Sequence, residues 1–270
     1  MYPRLFTFGN VTLPTYGAFM AIAVMAALLL AMALARRTGL DRDRMWTLGL
    51  LAVFSAIAGS RVIAILSNWS SVVASPRLLL NLPALQSQGV DYTGILLALV
   101  VCAGYLAFAR PPVLRTLDTA APAVALGHAI AAMGCLMAGC GYGQPITGAG
   151  HHWGILFNSR FAERTTGVPL GIPLYPTQIY DSAAALLICA VLLFLLARPH
   201  RDGDVAGAWL FLFGLARFFL EFYRGDPGRG SLLQGACTGV QAVAVTMVVL
   251  GGVLWSVSQN QNAGQPADVS

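Results

Sequence analysis

Lysine is absent from this chain, and all 16 basic residues are arginine. Charge of either sign is scarce: Asp, Glu, Lys and Arg make up 10% of the 270 residues, against 57% hydrophobic residues and a mean hydropathy of +0.71. A soluble domain usually carries about 25% charged residues, because its surface must face water. So little charge cannot coat a globule, which argues against a soluble enzyme. The apolar content rules out disorder. An integral membrane protein with one compact spanning domain fits this composition.

Other absences narrow the class further. The five cysteines, Cys102, Cys135, Cys140, Cys189 and Cys237, are odd in number and scattered through apolar runs, so they do not read as a disulfide framework. No CxxC or other metal spacing occurs, and His151 and His152 are adjacent with no third ligand. Ser55, Ser60 and Ser182 have no Gly-x-Ser-x-Gly context. No cofactor is implied. The net charge of +5 is spread between apolar runs rather than gathered on one face, which excludes a nucleic-acid binder and points to anionic lipid heads.

What is present is a succession of seven apolar segments, at roughly 16–35, 45–66, 93–109, 117–138, 179–197, 205–223 and 233–257. A helix needs about 20 residues to cross ~30 Å of hydrocarbon. Backbone polar groups find no water in lipid, so these segments are helices of an all-α membrane protein; none alternates like a barrel strand. The third is short, and the fourth is broken by Pro122, His128 and several glycines. Arginines crowd the short loops after segments one, three and five (Arg36, Arg37, Arg42, Arg44; Arg110, Arg115; Arg198, Arg201), which places those loops in the cytoplasm. The N-terminus is then outside and the C-terminus inside. Residues 1–257 form a single membrane-embedded domain, and the polar tail 258–270 is expected to be disordered. The first segment is too long, and its flanking charge wrongly ordered, for a cleavable signal. The longest loop, 139–178, faces outward and carries His151, His152, Trp153, Arg160, Glu163 and Arg164.

Charge inside the membrane costs roughly 2.5–3.5 kcal/mol or more per residue, so each instance needs a reason. Arg61 lies in segment two, near its outer end. Arg217 and Glu221 in segment six are four residues apart and share a helix face, and Arg224 follows at the outer mouth. Together they read as an anion site for a lipid phosphate, with Glu221 orienting an arginine; the bland counterpart is a structural ion pair with snorkelling side chains. The run Tyr175-Pro176-Thr177-Gln178-Ile179-Tyr180-Asp181 sets polar groups at the start of segment five, as either a binding edge or an aromatic interface belt. In Gly134-Cys135-Leu136-Met137-Ala138-Gly139-Cys140-Gly141-Tyr142-Gly143 the crowded glycines predict close backbone approach or a broken helix end. On a continuous helix Cys135 and Cys140 are separated by about 140° of rotation, so contact between them needs the helix to end in between. They are either two buried thiols or a thiol pair at an active-site mouth. Intramembrane His128 is a functional suspect or a packed histidine bonded to a carbonyl.

Nearly the whole chain, from Tyr16 to about Trp255, resembles the prolipoprotein diacylglyceryl transferase family. Tyr16-Gly17 is similar to the family's Tyr-Gly, and Gly59-Ser60-Arg61 to its Gly-Gly-Arg. The run 175–181 resembles its His-Pro-Thr-Gln-Leu-Tyr-Glu, and Arg217 to Arg224 its Arg-x-x-x-Glu-x-x-Arg, followed by a similar Asp226. The resemblance implies a bacterial inner-membrane enzyme that moves a diacylglyceryl group from phosphatidylglycerol to the thiol of a lipoprotein precursor, releasing glycerol phosphate. It implies Arg61, Gln178, Tyr180, Arg217 and Arg224 as substrate-binding residues, with Glu221 catalytic.

The family's key His is replaced here, where Tyr92-Thr93-Gly94 stands for its His-Gly-Gly. In its central signature the Arg becomes Ala132, the Asn residues become Cys135 and Ala138, and the Glu becomes Cys140. The candidate catalytic set is therefore Tyr16, Tyr92, Cys135, Cys140 and Glu221. A tyrosine is a poor base at a pKa of ~10. Three readings stand: a diverged, cysteine-bearing transferase acting on an anionic lipid and a thiol or other small nucleophile; a thiol-based membrane enzyme using Cys135 and Cys140; and a non-catalytic lipid-binding or transport protein.

Overall fold

The computed structural model describes residues 4–8, 11–67, 69, 73, 92–147, 153–226, 231–232 and 237–260. A short antiparallel hairpin, β1 (Arg4–Phe8) and β2 (Val11–Pro14), leads into helix α1 (Thr15–Arg37). Helices α2 (Arg42–Ser67), α3 (Tyr92–Ala109) and α4 (Val113–Ala138) follow. A loop holding the short helix α5 (Arg160–Thr166) precedes α6 (Thr177–Leu196) and α7 (Asp204–Leu220), which tightens into a 3-10 turn at Glu221–Tyr223. The two-residue strands β3 (Ser231–Leu232) and β4 (Cys237–Thr238) pair ahead of α8 (Gly239–Asn260).

Among the described residues six helices are long and apolar enough to cross a membrane: α1, α2, α4, α6, α7 with its 3-10 turn, and α8. A shorter apolar helix covers Gly94–Ala109. The chain is thus a multi-pass helical membrane protein. It gathers into two compact units, residues 1–34 with 114–270, and residues 35–113.

The larger unit is held by small residues where helices meet. Without a hydrophobic drive between helices in lipid, close backbone approach supplies the packing. A Cβ at Gly214 would lie 2.7 Å from the Ala244 carbonyl, and one at Gly251 2.7 Å from that of Gly207, so α7 and α8 touch backbone to backbone. A Cβ at Gly134 would meet that of Phe19 at 2.7 Å, which sets α4 against α1. Ala121, Ala125, Ile188, Cys189, Leu192, Val205 and Ala208 form a common core of α4, α6 and α7. In the smaller unit Gly59 of α2 packs on Leu97 of α3, and the buried Ser60 hydroxyl donates to the Ala56 carbonyl at 3.0 Å.

Four sequence expectations need correcting. Pro122 does not break α4, which is helical from Val113 to Ala138. The proline is fully buried against its neighbours, with its own carbonyl accepting from the Cys189 thiol at 3.3 Å, and packed membrane helices tolerate proline. The last apolar segment begins as a helix at Gly239, not at 233. Cys237 therefore lies in β4, not on a helix face. Ser258 is not part of a disordered tail: α8 runs to Asn260, and Ser258 is buried with its hydroxyl donating to Asp204 at 2.7 Å.

Candidate active site

The site is built at the C-terminal end of α4. Gly139 takes a left-handed conformation (φ +88°), and the N–H groups of Gly139 and Cys140 both donate to the Cys135 carbonyl, at 2.8 and 3.1 Å. This is a Schellman-type ending, in which the third-last helical residue and the second residue past the cap come into side-chain contact. Those two positions are Cys135 and Cys140. The helix ends between them, as their contact requires, and the two thiols lie close enough to perturb each other. Both thiols are free and half-buried.

The chain after Gly139 is clamped from two sides. The Thr177 hydroxyl donates to the Gly141 carbonyl at 2.8 Å, and Gln178 Nε2 to that of Cys140 at 2.9 Å. From α7's end, Arg224 leaves the 3-10 turn in extended conformation and bridges Gly143, with Gln144 N–H donating to Tyr223 and Gly225 N–H to Tyr142. Gly143 must be glycine, since a Cβ there would strike the Tyr175 backbone. Gln178 is 3% exposed, and its Oε1 has no hydrogen-bond partner among the described residues.

Charged groups ring this clamp. Arg224 donates from Nε and Nη2 to both oxygens of Asp226, at 2.9 and 2.8 Å, a bidentate fork. Its guanidinium lies over Gly141, where a Cβ would come within 3.2 Å of Nη2. Arg217 faces Glu221 at 3.6 Å, and the other Glu221 oxygen accepts from the Thr238 hydroxyl at 3.2 Å. His128 Nε2 is 3.1 Å from Asp181 Oδ1, and the ring meets Phe213 edge-on. Asp181 feels both Arg217 and Arg224, and Tyr16 lies within electrostatic reach of both thiols. Among the described residues no group of three or more His, Cys, Asp or Glu is placed to hold a metal ion.

The surroundings bias protonation at the mouth. The neighbouring Cys135 thiol, the backbone N–H of Cys140 and the Arg224 charge hold the Cys140 thiol below the ordinary thiol range, against burial and Asp226. Burial pulls Arg224 down, but its bonds to Asp226 and the nearby Glu221 and Asp181 raise it overall, so it stays charged.

Of the sequence candidates, Tyr16, Cys135, Cys140, Gln178, Arg217, Glu221 and Arg224 come together in the larger unit. Tyr180 is exposed on α6, next to the inward Asp181. Arg61 is half-buried in α2 of the smaller unit, and Tyr92 opens α3 there, its side chain outside the described residues. His151 and His152 also lie outside them. The sequence reading missed two partnerships: Asp226 as the clamp on Arg224, signalled only by its closeness in sequence, and His128 with Asp181, 53 residues apart and without any spacing signal.

The polar, arginine-bearing cluster thus lies at one end of the larger unit of a multi-pass membrane protein. Residues 3–257 match the profile of the prolipoprotein diacylglyceryl transferase family, and the chain belongs to that family. Its activity class is that of a membrane lipid-modifying transferase. It is 28% identical over 261 residues to the phosphatidylglycerol–prolipoprotein diacylglyceryl transferase of Clostridium tetani, covering 96% of this chain and 98% of the relative. A second protein of that name in Clostridium perfringens is 27% identical over 252 residues, with 91% of each chain covered. One from Clostridium botulinum is 28% identical over 253 residues, covering 93% and 94%.

Proposed function

We propose that this chain transfers a diacylglyceryl group from phosphatidylglycerol to the thiol of a lipoprotein precursor in the bacterial cytoplasmic membrane, using a thiolate where its family uses other groups. The donor and acceptor are those named for its relatives. In this reading the chain has seven spans, with the N-terminus outside and the site at the outer face, in keeping with the arginines of its short loops.

The observation that carries the reading is Arg224 beside Cys140. The leaving group is a phosphate monoester, and fixed guanidinium donors stabilise the charge it gains. Arg224 is held by Asp226 and Arg217 by Glu221, so both are pre-oriented before lipid arrives. Tyr180 is assigned to the lipid and Tyr16 to the acceptor side. Cys140, as thiolate, takes the proton of the incoming acceptor thiol. The acceptor sulfur attacks the glyceryl carbon that bears the phosphate, an S–C bond forms, the C–O bond breaks, and its electron pair leaves with glycerol phosphate. Cys135 and Gln178 position Cys140, one through its sulfur and one through its carbonyl.

The test is transfer of labelled diacylglyceryl from phosphatidylglycerol to a lipobox peptide by the purified protein in lipid nanodiscs under reducing conditions. The expected result is a peptide heavier by one diacylglyceryl group and equimolar glycerol phosphate. Tight lipid binding with no transfer to peptide or small thiol would make the chain a lipid-binding protein instead.

A further inference from the structure

A single thiolate suffices as a proton acceptor, yet α4 ends on two thiols in contact. Their meeting is fixed by backbone: the left-handed Gly139, the shared Cys135 carbonyl, and the clamp of Thr177 and Gln178 on the residues that follow. The remaining described cysteines are placed differently. Cys102 and Cys189 point their S–H groups at the carbonyls of Leu48 and Pro122, and Cys237 sits in β4.

We propose that Cys135 and Cys140 form a redox-active dithiol site that exchanges with disulfides and closes to a disulfide across the end of α4. Cys140 is the attacking sulfur, since it lies beyond the helix end, next to Gly141, over which the Arg224 guanidinium sits. Its thiolate attacks one sulfur of an incoming disulfide, whose S–S bond breaks. One half leaves as a thiolate and the other stays on Cys140 as a mixed disulfide. Cys135 gives its proton to the departing thiolate and attacks the Cys140 sulfur, and the second half leaves. Two electrons pass from the dithiol to the substrate disulfide, which becomes two thiols. The backbone already joins the two residues, the Cys140 N–H donating to the Cys135 carbonyl at 3.1 Å.

Closure removes the thiolate beside Arg224. On the transfer reading above the closed form lacks its proton acceptor, so the redox state of the compartment gates the enzyme. That consequence rests on lipid transfer; the dithiol chemistry does not.

The experiment equilibrates the full-length protein in nanodiscs with glutathione buffers from fully reduced to fully oxidised, blocks free thiols with a maleimide, and maps peptides by mass spectrometry. Cys135 and Cys140 should lose alkylation together in one two-electron transition and appear as one internally bridged peptide. Cys140→Ser should leave Cys135 alkylated, and Cys135→Ser should trap glutathione on Cys140. Alkylation of both cysteines in the fully oxidised wild-type protein, or a bridge from either to Cys237, overturns the proposal whatever the variants do. Transfer is assayed on the reduced samples. A dithiol transition without any transfer removes the lipid-transfer reading alone, and transfer without a dithiol transition removes the redox site alone.

Discussion

The two ends of the larger unit use the same residue types for opposite purposes. At one end Asp118, fully buried in α4, accepts from the N–H groups of Gly203 and Ala206 at 2.6 and 2.7 Å and so caps α7. Asp204 accepts from the Ser258 hydroxyl and the Arg201 N–H, and Arg115 pairs with Asp202 at 3.1 Å. There the carboxylates spend their oxygens on helix ends and on each other's neighbours. At the other end Arg217 and Arg224 meet carboxylates next to two thiols and a buried amide oxygen that has no hydrogen-bond partner among the described residues. Polar groups are paired at both ends, but at the second the paired arginines, Arg217 and Arg224, sit beside two thiols.

Exchanging charge at the two ends should separate activity from stability. Arg224→Ala should lower transfer by about 10²–10³-fold, the usual loss when a donor to a developing oxyanion is removed. Arg224→Lys should recover little, because an ammonium cannot keep the fork with Asp226. Arg217→Ala should exceed Arg61→Ala in effect, since Arg217 is the one held by a buried carboxylate. Steady-state kinetics in nanodiscs measures all of these, and wild-type rates for Arg224→Ala and Arg217→Ala would reduce both pairs to structure.

Asp118→Ala should do the reverse. It strands two buried N–H groups at the start of α7, at roughly 1–3 kcal/mol each, and should lower the thermal unfolding midpoint while transfer per folded molecule stays within about twofold. A loss of transfer with the midpoint unchanged would erase the distinction between the two ends. Gly139→Ala sits nearer the site and should be milder in stability, roughly 1–2 kcal/mol for a left-handed alanine. Its methyl group meets Val168 at 3.1 Å, so the variant should loosen the thiol contact and report as slower closure of the Cys135–Cys140 bridge.

These ends differed in how far the sequence disclosed them. Arg217 and Glu221 were legible because four residues on a helix is a contact rule. The membrane class was legible from the charge-poor, apolar composition. The thiol pair was half legible: rotation placed the two cysteines apart, and only the left-handed turn at Gly139 reunites them. His128 with Asp181, and Asp118 with the start of α7, were not legible, because nothing local ties residues 53 and 85 positions apart. Pro122 misled because its usual meaning as a breaker yields in a helix buried among its neighbours. Ser258 misled because a polar tail composition hides one residue pinned by Asp204.

The smallest effect expected is a displacement in pH, and it tests whether the site end is electrostatically tuned at all. Cys140 is held below the ordinary thiol range, so it is a thiolate at a pH where an exposed cysteine remains protonated. Only the thiolate reacts, and the rate of its alkylation should therefore rise at a lower pH in the folded protein than in the unfolded chain. The sign for stability follows from linkage. A depressed value in the folded state contributes stability above the unfolded thiol's value, and that contribution is lost as pH falls through the folded one. The neighbours make opposite demands. Arg224→Gln removes a favourable positive charge and should move the alkylation midpoint up. Asp226→Asn removes an opposing negative charge and should move it further down. Alkylation of Cys140, followed by peptide mass spectrometry across a pH series, separates the three curves. Curves that coincide would mean that Arg224 and Asp226 leave the thiol untouched, and the site end would then differ from the capped end in geometry only.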